Sequence, residues 1–236
     1  MRQVPNYLII GRGRLATHFG YYFNLLGQPY SVWHRGHAKE QLQSILPQSS
    51  HVLILINDDA IEPFIHDHLQ HASHAYLIHC SGHLTSSQAI GAHPLMTFSK
   101  SLYSLATYQA VPFIVDEDAP SFKALFPALN NPTVRINKQV KQKYHAICAL
   151  SGGLTSYLWQ QLFDRFETEF ALPKEMAFPY LKQQVLNVLQ DANQALTGPI
   201  VRGDQQTIQS HLHVLQQDAL LPVYQAFIAS FQSRST

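Results

Sequence analysis

The sequence predicts an α/β fold in two parts: a domain of alternating strands and helices built on a parallel sheet, then a smaller all-helical domain. Three observations carry this. A glycine-containing turn near the start joins an apolar strand to an amphipathic helix. Short apolar runs then alternate with helical segments as far as residue 136, and from residue 137 onward the periodicity is helical only. The expected domains are therefore 1–136 and 137–236.

Tyr7-Leu8-Ile9-Ile10 reads as a buried strand, and Leu15, Phe19, Phe23 and Leu26 fall on one face of the following helix. Between them lies Gly11-Arg12-Gly13-Arg14-Leu15-Ala16. Gly11 allows a sharp turn, Gly13 lets a backbone approach a pyrophosphate, and the small Ala16 lets helix and strand pack closely. Free N–H groups and the positive helix end then favour phosphate. Gly11, Gly13, Arg14, Leu15 and Ala16 thus form the expected cofactor turn of a Rossmann-type dinucleotide-binding domain.

The second strand, Tyr30-Ser31-Val32-Trp33, leads into His34-Arg35-Gly36-His37. An NAD-preferring fold places a carboxylate here for the ribose hydroxyls. This chain has none, and a guanidinium suits a 2′-phosphate. The position favours NADP(H), held by His34 and Arg35, over a merely solvated basic turn. Val52-Leu53-Ile54-Leu55-Ile56 is a strand ending at Asn57-Asp58-Asp59. Asn57 is expected at the cofactor, with the aspartates capping a helix over 60–70. The strand Ala75-Tyr76-Leu77-Ile78-His79 runs into Cys80-Ser81-Gly82, where Ser81 either meets substrate or nicotinamide or caps a turn. Gly91-Ala92-His93-Pro94-Leu95 is strand-like, and the proline holds His93 extended, either toward substrate or as a packed histidine. Further segments are a strand at 112–115, a helix at 119–129 and a strand at 133–136.

A long helix is expected over 138–166, with Lys138, Lys141 and His145 on one polar stripe. Ser151-Gly152-Gly153 interrupts it at a cost of about 1 kcal/mol per glycine, which a close-approaching backbone or ligand explains, as does a kink. A helix over 174–196 stops at Thr197-Gly198-Pro199. Asp204 caps another helix, and Pro222 starts or kinks the last.

The net charge of +1 gives no polyanion-binding surface, so nucleic acid is not an expected partner. Cys80 and Cys148, the two cysteines, are too few for a disulfide framework or a cysteine metal site. His66, His68, His71 and His74 cluster without a metal-binding motif and read as surface residues, so no metal is expected. With no long apolar run and no leader pattern at the start, a soluble, cytoplasmic protein away from membranes is expected.

Four stretches resemble a known family: Gly11-Arg12-Gly13-Arg14-Leu15-Ala16, Gly91-Ala92-His93-Pro94-Leu95-Met96-Thr97-Phe98, Lys143-Tyr144-His145-Ala146, and Thr197-Gly198-Pro199-Ile200-Val201-Arg202-Gly203-Asp204. The chain is similar to the DUF2520 group, in which a Rossmann-like domain of the pyrroline-carboxylate-reductase type is joined to a short helical domain. The resemblance implies an NAD(P)-dependent oxidoreductase acting on a small molecule, whose helical domain helps form a homodimer and covers the nicotinamide. Some members resemble an alternative form of ketopantoate reductase. Reduction of a 2-keto acid needs a hydride donor, a proton donor and a cation for the carboxylate. Lys141 or His145 can supply the proton, His145 being preferred for its near-neutral titration. Ser81 is a further catalytic candidate, and His93 and Arg202 are candidates for holding substrate. An imine reductase of the pyrroline-carboxylate type and a non-catalytic NADP(H)-binding sensor remain alternatives.

Overall fold

The computed structural model describes residues 5–233. The chain divides between Thr155 and Ser156 into two compact units.

In the first unit the strands are β1 (Tyr7–Ile10), β2 (Tyr30–Trp33), β3 (His51–Ile54), β4 (Tyr76–His79), β5 (Ile90–Pro94), β6 (Phe113–Asp116) and β7 (Thr133–Ile136). They form one sheet in the order β2-β1-β3-β4-β5-β6-β7. Neighbours are parallel except β5 and β6, which are antiparallel. Helices α1 (Arg14–Leu25), α2 (Lys39–Ile45), α3 (Asp58–His68), α4 (Leu105–Ala110), α5 (Phe122–Leu125) and α6 (Lys138–Ala149) accompany it.

The strands read as unbroken apolar runs because both faces of the sheet are covered. Tyr7 and Ile9 pack on one face with Phe19, Phe23, Phe113 and Phe126. Leu8 and Ile10 pack on the other with Trp33, Val52, Ile54, Ile61 and Ile65. Strand periodicity thus divides β1 between two cores.

Two sequence expectations change. The helix expected at 119–129 shrinks to α5: Ser121 caps it by accepting the Ala124 N–H, and Phe126, ahead of Pro127, leaves helical geometry. The short α2 and α4 carry too little periodicity to be anticipated. The first compact unit takes in α6, which Asn137 caps directly after β7 and which Lys141 ties to Asp116 at the end of β6.

The helix expected over 138–166 continues from α6 through a π turn, Leu150–Leu154, into α7 (Thr155–Thr168). No described atom comes within 4 Å of where a side chain on Gly152 or Gly153 would begin. The helix is locally distorted there into the π turn.

The second unit contains α7, α8 (Phe178–Gln190), α9 (Pro199–Arg202), α10 (Gln205–Val214) and α11 (Leu221–Gln232). The helix expected over 174–196 ends early, where Asp191 turns extended and its carboxylate accepts the Asn193 N–H. Asp204 caps α10 by accepting the Thr207 N–H, and Pro222 stands in the first turn of α11, both as expected. Trp159, Phe163, Phe178 and Tyr180 make aromatic contacts, and Arg165 Nη2 lies 2.9 Å from both carboxylate oxygens of Asp218. No helix among the described residues is long and apolar enough to cross a membrane.

Phe23 is fully buried against the aromatic core. Phe23→Ala is expected to cost about 3–5 kcal/mol of folding stability, measured as a lower urea midpoint.

Candidate functional site

A crevice of about 760 Å³ opens at the carboxyl ends of β1 to β4. Its walls are the β1–α1 turn, the turn after β2, Asn57 and Asp58 at the start of α3, and Cys80-Ser81 after β4. This is where an open α/β sheet binds ligands.

The two glycines of the first turn are held for different reasons. Gly11 has φ 125°, and a Cβ there would overlap the Leu55 carbonyl oxygen, so the chain itself requires glycine. Gly13 has an ordinary φ of −69°, and a Cβ there would meet nothing within 4 Å. The protein leaves that position open at the amino end of α1, whose first turn has no acidic residue. Arg12, Arg14, Arg35 and Lys39 line the same crevice. Open space at a helix amino terminus, surrounded by cations, fits the phosphates of a dinucleotide. Leu15 lines the crevice beside them, and Ala16 is buried in the core against the sheet. Arg14 is steadied by donating to the Phe98 carbonyl at 3.2 Å.

His34 and Arg35 both line the crevice, as does His37. Asn57 is the N-cap residue of α3, yet its side chain makes no capping bond and stands in the crevice wall. Asp58 is not the cap expected of it. Its carboxylate accepts the Ser81 hydroxyl proton. The Ser81 oxygen also accepts the N–H groups of His83 at 3.1 Å and Leu84 at 2.8 Å. Of the two roles open to Ser81, the structure shows the turn cap: its hydroxyl is occupied in holding the loop.

Beyond Ser81 three imidazoles gather around Gly82. The His93 and His145 rings are perpendicular with centroids 5.6 Å apart, and His83 lies 6.4 Å from His145. A Cβ on Gly82 would collide with the His145 ring and stand 3.0 Å from His93 Nε2. His93 Nδ1 is hydrogen-bonded to Tyr144 Oη at 2.9 Å. Burial, with the nearby His145 and Lys141, lowers the His93 pKa to about 4, so His93 is neutral at physiological pH.

Lys141 is not displayed on a polar stripe. It is 0 % exposed, and its Nζ donates to Asp116 Oδ1 at 2.7 Å. The other Asp116 oxygen accepts the Gly91 N–H at 2.9 Å, in a space where a Cβ on Gly91 would collide with both charged groups. A buried ammonium committed to a carboxylate is a fixed charge rather than a proton donor in the crevice. His79 lies beside this pair, 0 % exposed, with both ring nitrogens unpartnered among the described residues. Burial, then Lys141, lower its pKa to about 4.

The structure therefore brings together Gly11, Gly13, Arg14, Leu15, His34, Arg35, Asn57 and Ser81 in one crevice wall, with Ala16 behind it in the core, and places His93 beside His145. Arg202 belongs to the second unit, exposed at the end of α9; the hydrogen bonds from Thr207, and after them the Arg202 charge, lower the pKa of Asp204. Asp116, Tyr144, His37, Gly82 and His83 were missed from sequence. The signal for Asp116 was an acidic residue closing an apolar strand. Among the described residues no group of three or more His, Cys, Asp or Glu side chains is arranged to hold a metal.

Two predictions follow from the buried charges. Asp116→Asn strands the Lys141 ammonium and is expected to cost about 3–5 kcal/mol in chemical denaturation. His79 and His93 titrate near 6.5 when unfolded and near 4 when folded. The unfolded chain therefore binds protons first: stability holds above pH 6.5, falls between 6.5 and 4, and levels off below. His79→Leu should flatten part of that fall in thermal melts.

Crystal structures with this fold include a Bacteroides fragilis protein described as a candidate NADP oxidoreductase, at 19% identity and TM-score 0.77, covering 97% of this chain and 98% of that one. A Streptomyces aurantiacus imine reductase aligns at 12% identity and TM-score 0.66 over 97% and 93% of the two chains. A Plasmodium falciparum pyrroline carboxylate reductase with NADP bound aligns at 11% and TM-score 0.59 over 100% and 98%. At these identities the likeness is one of fold. No curated protein matches the chain in sequence. Residues 111–230 match the family model "Domain of unknown function (DUF2520)". That match takes in α6 with His145 and the helices of the second unit, about half of the chain, and the protein belongs to the DUF2520 family.

Proposed function

We propose that this protein is an NADP(H)-dependent oxidoreductase that reduces a small 2-oxo acid, with 2-dehydropantoate to pantoate as the favoured pair. The observation that carries this reading is the open position at Gly13, facing a cation-lined crevice that ends beside two imidazoles. The N–H groups after Gly11, with Arg12 and Arg14, would hold the pyrophosphate. Arg35 and His34 would take the 2′-phosphate, and the uncommitted Asn57 side chain would bond the part of the dinucleotide over β3. When bound, NADPH supplies the hydride.

The chain's own residues then supply the proton and the positioning. His145, beside Gly82, would give a proton to the carbonyl oxygen as the alkoxide forms. His93 stays neutral and, fixed through Tyr144, keeps a hydrogen-bonding nitrogen turned to the same space. Lys141, tied to Asp116, would act by position, holding α6 and with it His145 against β5 and β6.

The same restriction of donors gives the imine reading its support. With Ser81 and Lys141 both committed, a substrate that brings its own protonated nitrogen needs less from the protein. The neighbours named as imine and pyrroline carboxylate reductases agree with that chemistry.

Oxidation of NADPH by pure protein, with 2-dehydropantoate beside pyrroline-5-carboxylate, decides between them. The expected result is turnover of the keto acid, reduced by about 10²–10⁴-fold in kcat by His145→Ala. Turnover of the imine alone, little affected by that change, supports the second reading. Gly13→Ala should keep the fold and raise the KM for NADPH. Tight dinucleotide binding without turnover of either compound overturns both enzymatic readings and leaves a binding protein.

A further inference from the structure

The turn after β2 contains a feature that dinucleotide binding alone does not require. His37 N–H donates to the His34 carbonyl at 2.8 Å, closing a four-residue β-turn whose first and last residues are both histidine. Their rings lie together, centroids 3.9 Å apart and planes 30° apart. His34 Nδ1 accepts the Gly36 N–H at 3.0 Å, which orients its ring. Gly36 has room for little else, since a Cβ there would stand 3.0 Å from His34 Cε1. His37 Nδ1 is shielded from solvent and has no partner among the described residues. Both rings line the crevice.

We propose that His34 and His37 act as a paired, titratable seat for the 2′-phosphate, so that preference for the phosphorylated dinucleotide depends on pH. This rests on the dinucleotide reading of the crevice and goes beyond it. It adds His37 as a specificity-determining residue and makes cofactor choice a graded property.

The charges around the pair set the sign. Arg12 and Arg14 come from the β1–α1 turn, Arg35 and Lys39 from the segment after β2, and Asp58 and His68 from α3. The Arg and Lys side chains bring positive charge close to the pair, a setting that disfavours a charge on His34 while the site is empty. In keeping with this, partial burial, His37 and Arg12 all lower the pKa of His34. A phosphate dianion favours the imidazolium forms, so each ring takes up protons more readily once the phosphate is present. Affinity for NADPH relative to NADH should therefore rise as pH falls through the imidazole range. The phosphate's own second ionisation, near 6, works in the opposite direction. A rise in preference toward lower pH thus cannot come from the ligand.

The test is a pair of titrations, NADPH and NADH, each followed by quenching of protein fluorescence from about pH 6 to about pH 8.5, a window that runs from just below the unperturbed imidazole value of about 6.5 to well above it. In the wild type the ratio of dissociation constants, NADH over NADPH, should grow about tenfold on going from the upper to the lower end. His37→Asn should remove most of that change, and His34→Asn with His37→Asn all of it, leaving the pH-independent preference due to Arg12 and Arg35. Circular dichroism of each variant checks that the fold is kept. A ratio that is flat in the wild type, or that keeps its pH dependence in the double variant, overturns the proposal while leaving dinucleotide binding intact. Failure of both nucleotides to bind the wild type overturns the dinucleotide reading, and this proposal with it.

Discussion

The ion pair between Lys141 and Asp116 is the constraint on which the imidazole cluster depends. It joins α6 to the end of β6, and through the Gly91 N–H it takes in β5 as well. His145 is carried by α6 and His93 by β5, so the pair fixes the two imidazoles relative to each other. Two charges taken out of water cost several kcal/mol each to desolvate, about as much as their attraction returns. The pair is therefore weak as a source of stability and strong as a source of position. A single alternative packing of α6 would leave one charge buried and unpaired.

Burial sets the protonation of the surroundings, and the pair adds to it. Desolvation first, then the Lys141 charge, keeps His79 neutral, and desolvation, then His145 and Lys141, keeps His93 neutral. At the far end of the crevice the arrangement differs. Cations there stand on exposed side chains at the rim, where anions are drawn in from water. The first unit thus has a buried ion pair near the imidazoles and an exposed set of cations along the glycine turn.

The parts of this architecture legible in the sequence are those set by local rules. Strands β1, β3 and β6 announce themselves because they are covered on both faces, and the turn after β1 because Gly11 holds a backbone conformation that other residues rarely adopt. Asp204 and Pro222 behave as their helix-end chemistry demands. What was not legible came from pairings far apart in sequence. Lys141 and Asp116 are 25 residues apart, and helical spacing says which residues share a face but not what that face meets. Lys141 thus looked like a solvent-facing base. Ser81 and Asp58, 23 residues apart, were hidden in the same way: each had a plausible local role as a cap, and only the fold shows that they bind each other. The short α5 is a case of the opposite kind, where a proline at position 127 should have outweighed the apolar spacing around it.

The contrast between Gly11 and Gly13 bears on how such a sequence would drift. One is required by the backbone, which has no room and no torsional freedom for anything else. The other stands in open space, where the fold would tolerate a methyl group. Under the proposed dinucleotide reading, a descendant that lost its ligand but kept its shape would retain the first glycine and be free to replace the second. On that reading, the residue aligned with Gly13 in relatives of this chain would separate copies that bind from copies that only fold.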